Sequence, residues 1–473
     1  MRGWVRRPRI FVVTERRIRG KHRYTVISAH LAGYGPGRRQ LKGVGLIPSF
    51  RAPRGTYDIL PDDQPYWSFA LDAAAKTAAR FGYGRIDTPL FEPTDLFERG
   101  VGDATDIVQK EMYTFEDHGG DSLTLRPEGT AGVCRAYIEH GLHNQPQPVR
   151  MYYTGPYFRY ERPQAGRFRQ LRQFGIEAIG DGSPNVDVEV IELGWSYIRS
   201  LNITGATLRV NSIGDSACRP AYLDALREYY RGHIDKVCDD DRQRLERAPL
   251  RLLDCKKTQC QRIGDAAPKS TNFLCDDCEA HWTSVIVLLD GLKDTYADLA
   301  YSIDHRLVRG LDYYTRTVFE IEPERAAGQS TLLGGGRYDG LIEELGGVPT
   351  PGIGFALGLD RIISEVKSQE GFVPPEIGPD VVIVHLGDEA GLRASALAAG
   401  LRDNGIGVLV APTGRSMRAQ MRYSNSMNAR YALIIGDREL ETGEGSLRPL
   451  QDSGDQSEVP LRVEVIAKAL RSG

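Results

Sequence analysis

No apolar run in the 473-residue sequence approaches the roughly 18 to 20 residues a helix needs to cross a bilayer, and mean hydropathy is -0.36. A protein that spans membranes by helices is therefore excluded. Cysteine is scarce: seven residues, an odd number in a long chain. That excludes the dense disulfide framework of a small secreted domain and makes a reducing, cytoplasmic setting the expectation. There is no internal repeat, and two familiar nucleotide signatures are missing. Gly334-Gly-Gly-Arg-Tyr-Asp339 lacks the Gly-Lys-Ser/Thr ending of a P-loop, and Gly352-Ile-Gly-Phe-Ala-Leu-Gly358 has Leu357 where a dinucleotide fingerprint needs its third glycine.

What is present is a globular composition, 41% hydrophobic and 26% charged, over a length that suits two to four domains. The net charge of -3 hides an asymmetry, because residues 1–45 hold twelve cationic side chains and the single acid Glu15. Residues 1–50 are expected to be a disordered extension or upstream sequence from a misplaced start; a targeting segment or an RNA-binding arm are the alternatives. From residue 51 the texture changes. Apolar positions Trp67, Ala70, Leu71, Ala74, Ala75 and Ala78 predict a helix over about 64–81, closed by Gly82-Tyr-Gly84. Strand-like runs at 85–88, 113–115, 123–126, 149–153, 168–179 and 318–321, joined by hairpin-like links, predict an α+β domain on an antiparallel sheet over 51–370. Residues 220–300 read as a helical insertion, and a helix is expected to begin near Phe355. A Pro/Gly-rich linker at 371–379 precedes alternating strand and helix over 380–473, the pattern of a small α/β domain with a mainly parallel sheet and a mobile hairpin at 441–458.

The densest chemical signal is residues 150–180, where two β-type segments flank the basic loop Glu161-Arg-Pro-Gln-Ala-Gly-Arg167. Arg159 at a strand end beside this loop suits polyphosphate, since guanidinium binds phosphate bidentately and stays charged. Gln173, Gly175 and Glu177 alternate and so share one strand face. Leu125-Arg-Pro-Glu-Gly-Thr-Ala131 offers Glu128 and Thr130 for an ammonium group. Leu307-Val-Arg-Gly-Leu-Asp-Tyr-Tyr-Thr315 offers a cation with two tyrosine walls. Asp360-Arg361, at the turn after Gly352–Gly358, offers a second cation for phosphate. Cys255-x4-Cys260-x14-Cys275-x2-Cys278 has zinc-ribbon-like spacing, although the first pair is wide; reduced thiols or a disulfide are the alternatives. Cys134, Cys218 and Cys238 read as ordinary packed thiols.

From about Ala52 onward these segments resemble the histidyl-tRNA synthetase family of class II aminoacyl-tRNA synthetases. Pro89 and its surroundings are similar to the dimer-forming motif 1, residues 153–179 to motif 2 and Gly352–Arg361 to motif 3. Arg309-Gly-Leu-Asp-Tyr-Tyr314 and Gly334–Asp339 are similar to the two histidine-specific motifs. The resemblance implies a class II catalytic fold with an anticodon-binding domain at 380–473. It implies ATP with Mg²⁺, L-histidine and histidine tRNA as ligands, and a cytoplasmic homodimer. By motif position, Arg159 and Arg309 would be catalytic, and Arg159, Arg167 and Arg361 would bind ATP. Glu128, Thr130, Arg159, Gln173, Glu177, Arg309, Tyr313, Tyr314 and Tyr338 would hold histidine, and Gln164 would touch tRNA. The zinc reading of Cys255, Cys260, Cys275 and Cys278 stands outside the resemblance, because the family does not require zinc. The alternative function is a non-catalytic, histidine-binding regulatory subunit of ATP phosphoribosyltransferase; such subunits generally lack the C-terminal domain and parts of the catalytic motifs.

Overall fold

The computed structural model describes residues 50–102, 105–162, 166–324, 331–369, 378–451 and 455–472, and the backbone of residues 10–18 and 21–29. The amino-terminal residues form a unit of their own, in which Ile10–Ile18 and Lys21–Ala29 pair antiparallel with Ile10 opposite Ala29. Residues 1–50 were expected to be a disordered extension or upstream sequence from a misplaced start; most of them lie outside the described residues. The runs Phe11-Val-Val-Thr14 and Tyr24-Thr-Val-Ile27 have the aromatic and β-branched character of strands.

In the rest of the chain the dominant element is an eight-stranded sheet. Its strands run in the order Ala300–Ile303, Thr207–Ser212, Thr315–Glu322, Leu333–Arg337, Gly352–Gly358, Gln170–Ile179, Val149–Phe158, Gly84–Arg85. The two edge strands pair parallel and every interior pair is antiparallel. The long hairpin has Val149 opposite Ile179 and Phe158 opposite Gln170, so its loop end carries Arg159 and the basic loop. On the next ladder Glu177 lies opposite Gly354.

One face of the sheet is covered by the helices Gln64–Arg80, Pro184–Ser200 and Asp276–Leu292. Trp67, Ala70, Ala74 and Ala78 of the first pack with Ile191, Leu193 and Trp195 of the second over Phe174, Phe319 and Phe355 of the strands. The expected hairpin links are in part helices: Thr94–Val101 and Thr130–Glu139 interrupt the strands. Thr130–Glu139 buries Thr130 through Cys134, Ala136 and Tyr137, so it shows no polar stripe by which its period could be read. Gly352–Gly358 is strand throughout, and the helix expected near Phe355 begins at Leu359.

The insertion comprises Arg219–Arg231, Asp239–Arg244, Thr258–Asp265 and Asp276–Leu292, with short 3-10 turns between them. It is tied to the sheet by a buried charge cluster. Arg337 Nε donates to Asp187 Oδ1 (2.7 Å), and His281 Nε2 is 2.8 Å from Asp187 Oδ2. The C-terminal sheet has the order Val408–Val410, Val381–His385, Tyr431–Ile435, Glu444–Pro449, Ser457–Pro460. The first three strands are parallel and the last two antiparallel, which places a paired hairpin at Glu444–Pro460, overlapping the expected 441–458. Helices Asp388–Asp403 and Val463–Ser472 enclose a separate core of Val381, Ile383, Leu397, Leu433 and Ile466. Most of the expected linker, 371–377, lies outside the described residues.

Candidate active site

At the mouth of the large sheet is a cavity of about 300 Å³. Its walls include Glu128, Thr130, Arg159, Arg167, Gln173, Arg309, Tyr313, Tyr314, Tyr338 and Arg361. These residues come from stretches spread over nearly half the chain, from Glu128 to Arg361, and the antiparallel register brings them to one place.

One end is acidic and hydroxyl-rich. Glu128 precedes the helix Thr130–Glu139, and its carboxylate accepts the backbone N–H groups of Thr130 (2.7 Å) and Ala131 (2.8 Å), where a helix terminus favours negative charge. Burial nevertheless raises its pKa, with the two N–H groups pulling the other way. Glu177 lies just behind the wall and accepts three hydroxyls: Thr130 (2.8 Å), Tyr153 (3.0 Å) and Tyr338 (2.6 Å). Burial pushes its pKa up to about 8, against those hydrogen bonds and reinforced by the charge of Glu128. Gly354 opposite is required by this packing, since a Cβ there would lie 2.0 Å from Glu177 Oε2. Tyr313 stacks at 4.6 Å from Tyr314 and 5.9 Å from Tyr338, which closes this end with aromatic walls. Gln173 Oε1 is buried and has no hydrogen-bond partner among the described residues.

The other end is cationic. Arg159 is held by its Nε donating to the carbonyl of Pro127 (2.8 Å). Arg361 donates through Nε to Gly166 O (3.2 Å) and through Nη1 to Thr331 O (3.1 Å). Arg167 Nε is 3.1 Å from Glu161 Oε2. Arg309 pairs with Glu320, which also accepts the Thr331 hydroxyl (3.0 Å). A Cβ at Gly334 would stand 2.4 Å from Arg309 Nη1, so this glycine makes room for the guanidinium. Burial lowers the pKa of Arg361, and the neighbouring Arg167 and Arg159 add to the effect. Burial also works against the charge of Arg309, but Glu320 together with Tyr314 and Tyr313 more than offsets it. Asp360 does not face the cavity as a free acid: it accepts the Tyr57 hydroxyl and the backbone N–H of Arg172 (2.8 Å).

Two sequence-derived sets fare differently. Gln164 lies outside the described residues. The four cysteines proposed as one metal set do not come together. Cys255 and Cys260 join Cys238 and Asp241, whereas Cys275 and Cys278 join Asp215 and Cys218. The linear spacing misled because each cysteine pair is joined by residues from earlier in the chain, Cys218 and Cys238 among them. Sequence reasoning also missed Tyr153, Glu320 and Thr331. The sign of Tyr153 was Gly175, directly opposite it, where a Cβ would meet the tyrosine ring at 2.4 Å.

An antiparallel sheet whose glycine-rich strand feeds a helix bearing a cavity-lining arginine, with a basic hairpin beside it, is the catalytic fold of a class II aminoacyl-tRNA synthetase. Comparison with known proteins agrees and narrows the group. Residues 55–362 match the family model described as histidyl-tRNA synthetase, and residues 380–470 match that of an anticodon binding domain. A histidine–tRNA ligase of Dehalococcoides mccartyi is 52% identical over 412 residues, covering 87% of this chain and 97% of the relative. One of Desulforamulus reducens is 47% identical over 414 residues, covering 88% and 97%. The crystal structure of apo histidyl-tRNA synthetase from S. aureus superposes with a TM-score of 0.75 at 36% identity, covering 89% of this chain and 100% of that one. The chain belongs to the histidyl-tRNA synthetase family.

Proposed function

We propose that this chain ligates histidine to tRNA in two steps within the one cavity. The observation that carries the reading is the convergence of Arg159, Arg309 and Arg361 on a cavity whose other end is the Glu128–Glu177–tyrosine cradle. In the first step a carboxylate oxygen of histidine attacks the α-phosphorus of ATP. The bond to the β-phosphate oxygen breaks, and histidyl-adenylate and pyrophosphate form. In the second step the terminal ribose hydroxyl of the tRNA attacks the carbonyl carbon and AMP leaves. No protein nucleophile is needed, so the contribution of the side chains is position and charge. Arg159 grips the α-phosphate and the carboxylate, Arg309 meets the α-phosphate from the other side, and Arg361 with Arg167 holds the outer phosphates.

Glu128, Thr130 and Gln173 take the substrate ammonium group; the unpartnered Gln173 oxygen is suited to that role. Glu177 and Tyr314 take the imidazole nitrogens, with Tyr313 and Tyr338 as walls. A buried polar site of this kind rejects apolar isosteres strongly, because they leave its groups unpaired. Magnesium arrives on the phosphates of ATP and needs only one or two carboxylates from the protein. Glu320 and Glu322, on the cavity wall, would hold it. Once bound it neutralises phosphate charge. Gln164 and the domain at 380–473 serve tRNA, the enzyme works as a homodimer in the cytoplasm, and the segment around Pro89 belongs to the dimer contact. The regulatory-subunit reading is disfavoured, since the three arginines and the C-terminal domain are all present.

Pyrophosphate exchange into ATP, with each amino acid offered in turn, tests the assignment. Exchange with histidine alone is expected. Exchange with a different amino acid, or none with histidine, would overturn it.

A further inference from the structure

The helical insertion contains a cluster that the ligase reaction does not use. Cys238 caps the helix Asp239–Arg244, Asp241 follows it by three residues, Cys255 lies in the turn after Pro249–Leu252, and Cys260 is on the helix Thr258–Asp265. Their ligand atoms all lie within 4.8 Å of one another and all four residues are buried. Cys238 Sγ and Cys255 Sγ are 3.9 Å apart. That is far beyond a disulfide bond, but close to the edge of a tetrahedron, roughly 3.8 Å for two thiolates about 2.3 Å from a shared ion.

The carboxylate is the second observation. Of three consecutive aspartates, Asp239 pairs with Arg242 and Asp240 with Lys257. Asp241 instead turns inward. It is 0% exposed and pairs with no cation or N–H group among the described residues; the thiols of Cys255 and Cys260 lie against it. Thiols are weak donors, so a carboxylate buried against them alone is poorly compensated, and this geometry suits a shared cation. The backbone N–H of Cys238 donates to Cys260 Sγ (3.3 Å), the kind of bond that orients a sulfur ligand.

We propose that Cys238, Asp241, Cys255 and Cys260 form a structural Zn²⁺ site that staples the insertion. Three thiolates and one carboxylate in a closed, buried tetrahedral set suit zinc rather than magnesium or calcium, which take oxygen ligands. The segment needs such a staple. Between residues 234 and 265 its helices are short, Asp239–Arg244 and Thr258–Asp265 being the longest, and no strand supports them. The neighbouring cluster of Asp215, Cys218, Cys275 and Cys278 lacks the second observation, because Asp215 is paired with Arg316 (3.2 Å) and accepts the N–H of Ala217 (3.0 Å). The inference is independent of the ligase reading.

The test is elemental analysis of the full chain, purified without a metal-affinity tag and incubated anaerobically with Zn²⁺ before desalting. Wild type should retain at least about one zinc per chain, and Cys260→Ser should retain about one equivalent less. Asp241→Cys, which preserves four ligands, should keep the wild-type stoichiometry. Cobalt put in place of zinc should give the strong visible bands of a tetrahedral thiolate site, and Cys260→Ser should lose them. Wild-type zinc below about 0.2 per chain, or equal zinc in wild type and Cys260→Ser, would overturn the proposal whether or not the variants fold well.

Discussion

The two ends of the active-site cavity solve opposite electrostatic problems. At the acidic end Glu128 takes two backbone N–H groups and Glu177 takes three hydroxyls, so each carboxylate is satisfied before any ligand enters. At the cationic end Arg159, Arg167, Arg309 and Arg361 share the wall, Arg167 pairs with Glu161 and Arg309 with Glu320, and burial, with the crowding of Arg167 and Arg159, lowers the pKa of Arg361. The first end is preorganised by its own hydrogen bonds and selects by shape and donor pattern. The second carries uncompensated positive charge and selects by charge. In the proposed reaction polyphosphate would complete the second end, whereas a polar side chain would have to match the first.

The largest break in that contrast is at Arg309. Arg309→Ala should lower the single-turnover rate of adenylate formation by about 10²–10³, because one preorganised charge is lost where charge develops. Rates within a few-fold of wild type would mean that the cationic end works without it. The complementary break is Glu177→Gln. It should weaken kcat/KM for histidine by roughly 10²-fold, the scale of a hydrogen bond to a charged group, and leave KM for ATP unmoved. A change shared equally between the two substrates would erase the distinction between the ends. Smaller again is Gly354→Ala, which sets a methyl against Glu177 Oε2 and, at 2.3 Å, against the carbonyl of Ile176. Overpacking of this kind costs about 1–3 kcal/mol, to be read from denaturant melts, and should raise KM for histidine but not for ATP.

How much of this was legible before folding depended on the kind of signal. The helix expected over 64–81 forms as Gln64–Arg80, since its alanine and tryptophan stripe has the helical period. Gln173 and Glu177 share a buried strand face as their alternation implied, and the cationic motifs reach one cavity. Three things were hidden. The helix Thr130–Glu139 is buried nearly all round and so lacks a stripe. Arg337, inside a motif read for ligand approach, is fully buried on Asp187 and serves the frame. The cysteine pairing depends on which helices of the insertion meet, and linear spacing carries no record of that. Local periods and strand alternation survive in one dimension, but partners across the fold do not.

The least expected effect concerns pH and isolates the acidic end from the cationic one. In the folded protein burial raises Glu177 to about 8, whereas the unfolded chain should titrate near the ordinary carboxylate value of 4.5. Between these values the native state holds a proton that the unfolded state has released. Unfolding therefore becomes easier as pH rises from about 4.5 to 8, and the contribution is level below and above that window. Glu177→Gln removes the titration and keeps the shape. Its stability relative to wild type should increase steadily from pH 5 to about 8 and then flatten, measured as the difference in urea midpoints. A difference that stays constant across this range would show that Glu177 is already ionised in the folded state. The acidic end would then be charged rather than neutral before substrate arrives, and its contrast with the arginine end would be one of sign instead of satisfied against unsatisfied groups.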